Sequence, residues 1–377
     1  MSPLFELLWG EESHAAATAA ALGEDDWHAL SRQAEQHRLR PLLHRRSTTG
    51  SWPVPQNLAR QWLNSYNRAA LRALGQRAAL ARIGAALLSG GITAAALKGG
   101  AFVWSAGFDP ALRPMRDLDL LIAPADAVQA VEILSAAGFT GGRAELSASG
   151  KHLPAMTSGG LIVELHLHLF DTYDDVAAER EASYIARAWQ RAEAVAVLGI
   201  CALCPADTLL HLILHAALDH QFNNGPLLLG DLKLLIESGR IDWVLFWNEA
   251  ERLDAVRACQ LALGVAQQLA GIAVDWGDHA PADLGPDQVE RVSRLMLVGL
   301  AHRSAVGWPG QLLRLQLRRW PGQILTMLRR RRKRDANSAK AGDGAGILAA
   351  VGHMLGDQGR SDIADAVEIA RWLGRKS

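Results

Sequence analysis

At 377 residues the chain is longer than one ordinary core organises, so two or three structural units are expected, and 49% hydrophobic residues supply a packed interior. Its 39 basic and 39 acidic residues cancel, which excludes a protein whose whole surface is built for nucleic acid and makes any electrostatic partner site local. Three cysteines, Cys201, Cys204 and Cys259, include a lone C-x-x-C without the second pair of a zinc ribbon, so free thiols in a reducing cytoplasm are expected.

Residues 1 to about 90 are rich in Ala, Leu, Arg and Gln and read as helical, broken by a Ser47-Thr48-Thr49-Gly50 turn and by Pro53-Val54-Pro55. The start, Met1 to Glu6, has no basic stretch ahead of an apolar core, and no run approaches the roughly 20 apolar residues of a membrane span. A soluble, unexported protein is therefore expected. Leu80, Ile83 and Leu87 keep helical spacing up to Gly90-Gly91, and Ile92 to Leu97 reads as a short buried strand running into Lys98-Gly99-Gly100. A helix is expected to begin over Ala101 to Ala106, followed by a loop from Gly107 to Met115.

Next comes Arg113-Pro114-Met115-Arg116-Asp117-Leu118-Asp119-Leu120-Leu121-Ile122. Side chains alternate across a strand, so Asp117 and Asp119 project from one side and form a ready pair for a divalent metal. Pro124 opens a helix with Val128, Val131 and Leu134 facing inward, ended by Gly138. A second apolar strand, Leu161 to His168, puts Leu161, Val163, Leu165 and Leu167 on one face and Ile162, Glu164, His166 and His168 on the other. Glu164 is thereby a third carboxylate. A glycine turn that lets backbone N–H groups approach phosphates, with three hard oxygen ligands, is the parts list for Mg²⁺-assisted nucleotidyl transfer.

From about Asp174 the pattern is helical throughout, with Asp207 capping a helix that carries His211, His215 and possible neighbour His220, and with Asp231 in the periodic block Leu227 to Ile236. Asp335 to Gly346 has linker composition and precedes a helical tail over residues 347–375. The run Arg329 to Arg334 concentrates positive charge, as a solvated helix end or as a dock for an anionic partner. Aromatic residues are sparse around it, which weighs against nucleic acid. His211-Leu212-Ile213-Leu214-His215 lacks the glutamate of H-E-x-x-H, so a separate transition-metal site is not favoured.

On these residues the chain resembles the DNA polymerase beta-like nucleotidyltransferase superfamily, and more narrowly an uncharacterised nucleotidyltransferase family of bacterial proteins. Its signature elements are matched by Leu97-Lys98-Gly99, Arg113, Asp117-Leu118-Asp119-Leu120-Leu121 and Glu164-Leu165-His166. The resemblance implies an α+β fold, a small mixed-sheet core (76–172) flanked by helical regions (1–75 and 173–334) and followed by a linker and tail (335–377). It implies Mg²⁺ or Mn²⁺ held by Asp117, Asp119 and Glu164, which would also be the catalytic residues. Lys98, Gly99, Gly100, Arg113, Arg116 and His166 would then contact a nucleoside triphosphate, with either Gly99 or Gly100 nearest the phosphates. A non-template acceptor is implied, with a peptide natural product or a phosphorylated peptide as the class. The competing readings are a degenerate nucleotide-binding scaffold and a nucleic-acid-binding protein working through Arg329 to Arg334.

Overall fold

A computed structural model describes residues 2–102, 108–142, 150–172, 175–299, 302 and 356–374. The N-terminal third is helical: α1 (Pro3–Trp9), α2 (Glu12–Ala21), α3 (Glu24–Gln36), α4 (Arg40–Gly50) and α5 (Gln56–Ser89). The expected turn at Ser47 to Gly50 is instead the last turn of α4, where the Thr48 and Thr49 hydroxyls donate back to the carbonyls of His44 and Arg45. The break falls one residue later, at Ser51, whose φ of 52° is left-handed. Residue 75 lies inside α5, which runs unbroken from the N-terminal helices onto the sheet.

The sheet has seven strands in the order β3-β4-β5-β2-β1-β7-β6: β1 (Ala94–Ala96), β2 (Leu118–Ile122), β3 (Thr140–Gly141), β4 (Met156–Ser158), β5 (Leu161–His166), β6 (Glu193–Val195) and β7 (Ile200–Ala202). It is mixed, with β2 parallel to β5 and antiparallel to β1, and β1 parallel to β7. The β6–β7 hairpin corrects the expectation of helix from Asp174 onward: strands of three residues are too short for a periodic signal, and the left-handed Gly199 makes their turn. β5 ends at His166, two residues before the expected limit, where the Glu181 carboxylate accepts the N–H groups of Leu169 and Phe170 and turns the chain aside.

Alternation divides the sheet between two cores. Leu118, Leu120, Ile122, Val163 and Leu165 pack with Leu80, Ile83 and Leu87 of α5 and with Val131 and Leu134 of α6 (Ala127–Ala136). Val128 was expected on that inward face, but it is 52% exposed, one turn ahead of Val131 on the solvent side of α6. On the opposite face, Ala95, Leu97 and Leu121 join a larger core built jointly by the N-terminal helices and the later ones. These are α7 (Asp175–Gln190), α8 (Pro205–Leu214), α9 (Leu227–Glu237), α10 (Trp243–Arg252), α11 (Val256–Ala270) and α12 (Pro286–Met296). The C-terminal α13 (Asp357–Leu373) packs on α12, with Asp365 bound by Arg291 and Arg294.

Asp207 does not cap α8. It is the third helical residue, behind Pro205, and its carboxylate takes both Nε and Nη2 of Arg191. No helix among the described residues is long and apolar enough to cross a membrane. The Arg329 to Arg334 run, the linker at 335–346 and most of the helix expected over Ala101 to Ala106 lie outside the described residues; Lys98–Ala101 itself is a 3-10 turn.

Candidate active site

The site lies on the sheet face that looks toward α8. In the parallel β2–β5 pair, Asp119 is registered with Glu164 and Leu121 with His166, so the two acids stand side by side and the imidazole follows one step along. His166 Nε2 is 2.8 Å from Asp119 Oδ1 and 3.9 Å from Glu164 Oε2. Asp117 sits just ahead of β2, half-buried, close enough for its charge to act on Asp119 and Glu164. Lys98 reaches over from the end of β1 and places Nζ 2.8 Å from the same Asp119 Oδ1.

The protonation states follow from burial and neighbours. Burial pushes the Asp119 carboxyl up, but Lys98 and the hydrogen bond from His166 outweigh it and hold the group well below the usual carboxylate range. Asp117 and Glu164 are both raised, first by burial and then by the other acids. His166 is fully buried and pushed down to about 4, so at neutral pH its ring is uncharged. Its Nδ1 has no hydrogen-bond partner; a proton on Nε2, donated to Asp119, leaves only a lone pair unpaired there and avoids burying an unbonded N–H.

The donor set fits a divalent cation when the imidazole takes the tautomer with its proton on Nδ1, which frees the Nε2 lone pair. Asp119, Glu164 and His166 each offer a ligand atom, all within 4.8 Å of one another, and Asp119 remains ionised. The sequence placed Asp117 among the ligands and His166 on the nucleotide; the geometry groups His166 with Asp119 and Glu164 and leaves Asp117 at the head of the strand.

The two glycines of the turn differ. A Cβ on Gly99 would lie 2.7 Å from Met115 Cγ and Sδ, so this glycine is needed for packing. Among the described residues, a Cβ on Gly100 would meet Ala96 Cβ at 3.5 Å and the Asp119 carbonyl at 3.9 Å, both ordinary contacts. Arg113 is held away from free rotation: Nε and Nη2 donate to the two oxygens of Asp231 on α9 at 2.7 and 2.8 Å. Its Nη1 lies 3.4 Å from the position of a Gly99 Cβ, so the third nitrogen borders the turn. Arg116 is exposed, with its carbonyl accepting from Arg72.

Helix α8 packs on the glycine turn and continues into a π-helical turn, His215–Asp219. Lys151, which the sequence gave no reason to single out, donates to Asp219 Oδ2 at 2.5 Å, and His215 Nδ1 lies 3.1 Å from that same oxygen. His152 pairs with His166 across a β-bridge, with ring centroids 5.2 Å apart. His211 is 1% exposed, its Nε2 is unpartnered, and its pKa is well below the ordinary value through burial and through the charges of Lys98 and Lys151. His211 and His215 are therefore neutral groups within range of the charges of Lys98 and Lys151, and they join no metal-binding cluster among the described residues. Lys151 and Asp219 were invisible beforehand because a contact across 68 positions has no local spacing.

Comparison with known proteins agrees with this geometry. The model of a family described as uncharacterised nucleotidyltransferase matches residues 23–271, well over half of the chain, and the chain belongs to that family. Nucleotidyltransferase activity is what this membership supports. Neither a curated protein nor a solved structure matches the chain.

Proposed function

We propose that this nucleotidyltransferase moves a nucleotidyl group from a nucleoside triphosphate to a non-template acceptor, with Asp117, Asp119 and Glu164 as its acidic set. The observation that carries the reading is the register of β2 on β5, which sets Asp119 beside Glu164 with Asp117 at the head of the strand. In the reaction an acceptor hydroxyl oxygen bonds to the α-phosphorus while the bond from that phosphorus to the bridging oxygen breaks, and pyrophosphate leaves. Mg²⁺ or Mn²⁺ held by Asp119 and Glu164, with His166 as the third ligand and Asp117 as a neighbouring charge, would neutralise the charge building on the phosphate oxygens.

The chain's own groups have distinct parts. Glu164, made more basic than a surface glutamate by burial and by its acidic neighbours, accepts the proton of the attacking hydroxyl. His166 fixes the rotamer of Asp119 through its donated hydrogen bond. Lys98 supplies a point charge to the β,γ-phosphates, Arg113 Nη1 a directed donor beside the turn, and Arg116 an exposed cation at the rim. Gly100, where an added Cβ meets only ordinary contacts among the described residues, is the glycine we assign to the phosphates, and Gly99 the one that shapes the turn. For the acceptor we take a peptide natural product or a phosphorylated peptide, on the resemblance of the motifs. The free Cys201, Cys204 and Cys259 favour a reducing cytoplasm as the setting.

The test is pyrophosphate release with the four ribonucleoside triphosphates and Mg²⁺ or Mn²⁺, run beside metal-dependent nucleotide binding so that a missing acceptor does not silence it. Asp119→Ala should lose both signals by about 100-fold or more. Equal signals from the wild type, Asp117→Ala and Asp119→Ala would remove the catalytic reading.

A further inference from the structure

We propose that Lys98 is a resident substitute cation: it neutralises the acidic site when no metal is bound, and it makes tight binding of the divalent ion depend on the nucleotide. The proposal rests on the metal and nucleotide reading above and adds an order to it. Lys98 holds a left-handed backbone, φ 50°, a conformation in which a side chain crowds the following carbonyl and which a non-glycine residue seldom adopts. In that backbone Nζ rests on Asp119 Oδ1 at 2.8 Å, with the lysine side chain 18% exposed and the aspartate side chain 5% exposed. A contact so poorly solvated is screened little, so its charge is felt by anything that approaches Asp119.

The other cations nearby have other anchors. Lys151 is tied to Asp219 and Arg113 to Asp231, while Arg116 points to solvent. The ammonium on Asp119 is thus that of Lys98. A divalent ion bound by Asp119, Glu164 and His166 shares Oδ1 with this ammonium and is repelled by it. Lys98 also begins the turn that carries Gly99 and Gly100. Its four-carbon stem lets Nζ leave Asp119 for a triphosphate on that turn without any backbone movement. A metal arriving with a triphosphate therefore finds Oδ1 released, whereas a metal arriving alone does not. By linkage the nucleotide and the ion raise each other's affinity through this one side chain.

The experiment titrates the full chain with Mn²⁺ alone, followed by the electron paramagnetic resonance signal of the free ion, for wild type, Lys98→Met, Lys98→Gln, Lys98→Arg and Asp119→Asn. Fluorescently labelled α,β-methylene triphosphates of the four ribonucleosides are then bound with and without Mn²⁺. Removing the charge should tighten Mn²⁺ alone by about tenfold or more, while weakening the labelled triphosphate; Lys98→Arg should keep Mn²⁺ weak. The opposite signs are the signature, and a lysine that merely supports the fold would not produce them in both neutral variants. If Met and Gln leave Mn²⁺ affinity unchanged or lower while Asp119→Asn abolishes it, the metal site stands and the role of Lys98 falls. If no form of the protein binds Mn²⁺, with or without triphosphate, the metal reading falls and takes this proposal with it.

Discussion

Arg113 and Asp231, 118 positions apart, are joined by two parallel hydrogen bonds of 2.7 and 2.8 Å, and this fork clamps the loop that leads into β2 against helix α9. Asp231 is 3% exposed, so the pair is almost dry. Asp231→Ala would leave the guanidinium without its partner, and the expected loss of stability is about 3 kcal/mol. Removing both members should cost less than the sum of the single changes, because the stranded charge is gone as well. Urea unfolding of the two single variants and the double variant measures this; a single-variant loss under about 0.5 kcal/mol would mean the fork contributes no more than a surface ion pair.

The unequal glycines of the turn give opposite expectations for one added methyl group. Gly99→Ala drives Cβ to 2.7 Å from Met115, a 6% exposed side chain with little room to yield, and should cost about 1–3 kcal/mol. Gly100→Ala meets nothing closer than 3.5 Å among the described residues and should change stability by less than about 1 kcal/mol. Thermal melts of the two variants decide the matter, and Met115→Ala in the Gly99→Ala background should recover part of the loss by opening the space that the methyl needs.

What could be read beforehand was what has a period. The alternation that puts Asp119 opposite Leu118 and Leu120 is local, so the acidic face of β2 and the separate faces of β5 were legible from a few residues. The pairing of Asp119 with Glu164 was not, because register between strands about forty positions apart is set by packing and not by spacing. The same limit hid the fork of Arg113 on Asp231 and the pair of Lys151 with Asp219, which hold the helical region to the sheet. The β6–β7 hairpin escaped because three residues are too few to show alternation. Asp207 carried the signature of a cap, yet Arg191 offered its carboxylate a stronger partner than a backbone N–H.

Acid should weaken the fold earlier than carboxylate titration alone predicts. His211 and His215 are held neutral, with pKa values well below 6.5, chiefly by burial and then by Lys98 and Lys151. In the unfolded chain both take up a proton near the ordinary value, so below about pH 6.5 the unfolded state binds more protons and stability falls as pH falls. Each such histidine contributes a slope of about 1.4 kcal/mol per pH unit in that window. His211→Leu removes one of them along with an unpartnered buried nitrogen. Urea midpoints between pH 7.5 and 5 should therefore drop less steeply in the variant, by about one proton's worth of slope. Parallel curves for the two proteins would show that His211 is protonated equally in both states.

The acids should also be unequal in holding a divalent ion, and their ranking tests the geometry directly. Asp119 and Glu164 supply ligand atoms that lie, with a nitrogen of His166, within 4.8 Å of one another. Asp119→Asn and Glu164→Gln each remove a charge in contact with the ion and should weaken Mn²⁺ binding by about 100-fold or more. Asp117 acts on the site as a neighbouring charge from the head of β2, so Asp117→Asn should cost about tenfold. His166→Ala removes a nitrogen that orients Asp119 in the free protein and ligates the ion once it is bound, and the loss should fall between these, about 10- to 100-fold. The free-ion resonance signal gives all four affinities in one buffer. A loss for Asp117→Asn as large as that for Asp119→Asn would mean that the carboxylate swings in to touch the ion, and the ligand set would then be three acids instead of two acids and an imidazole.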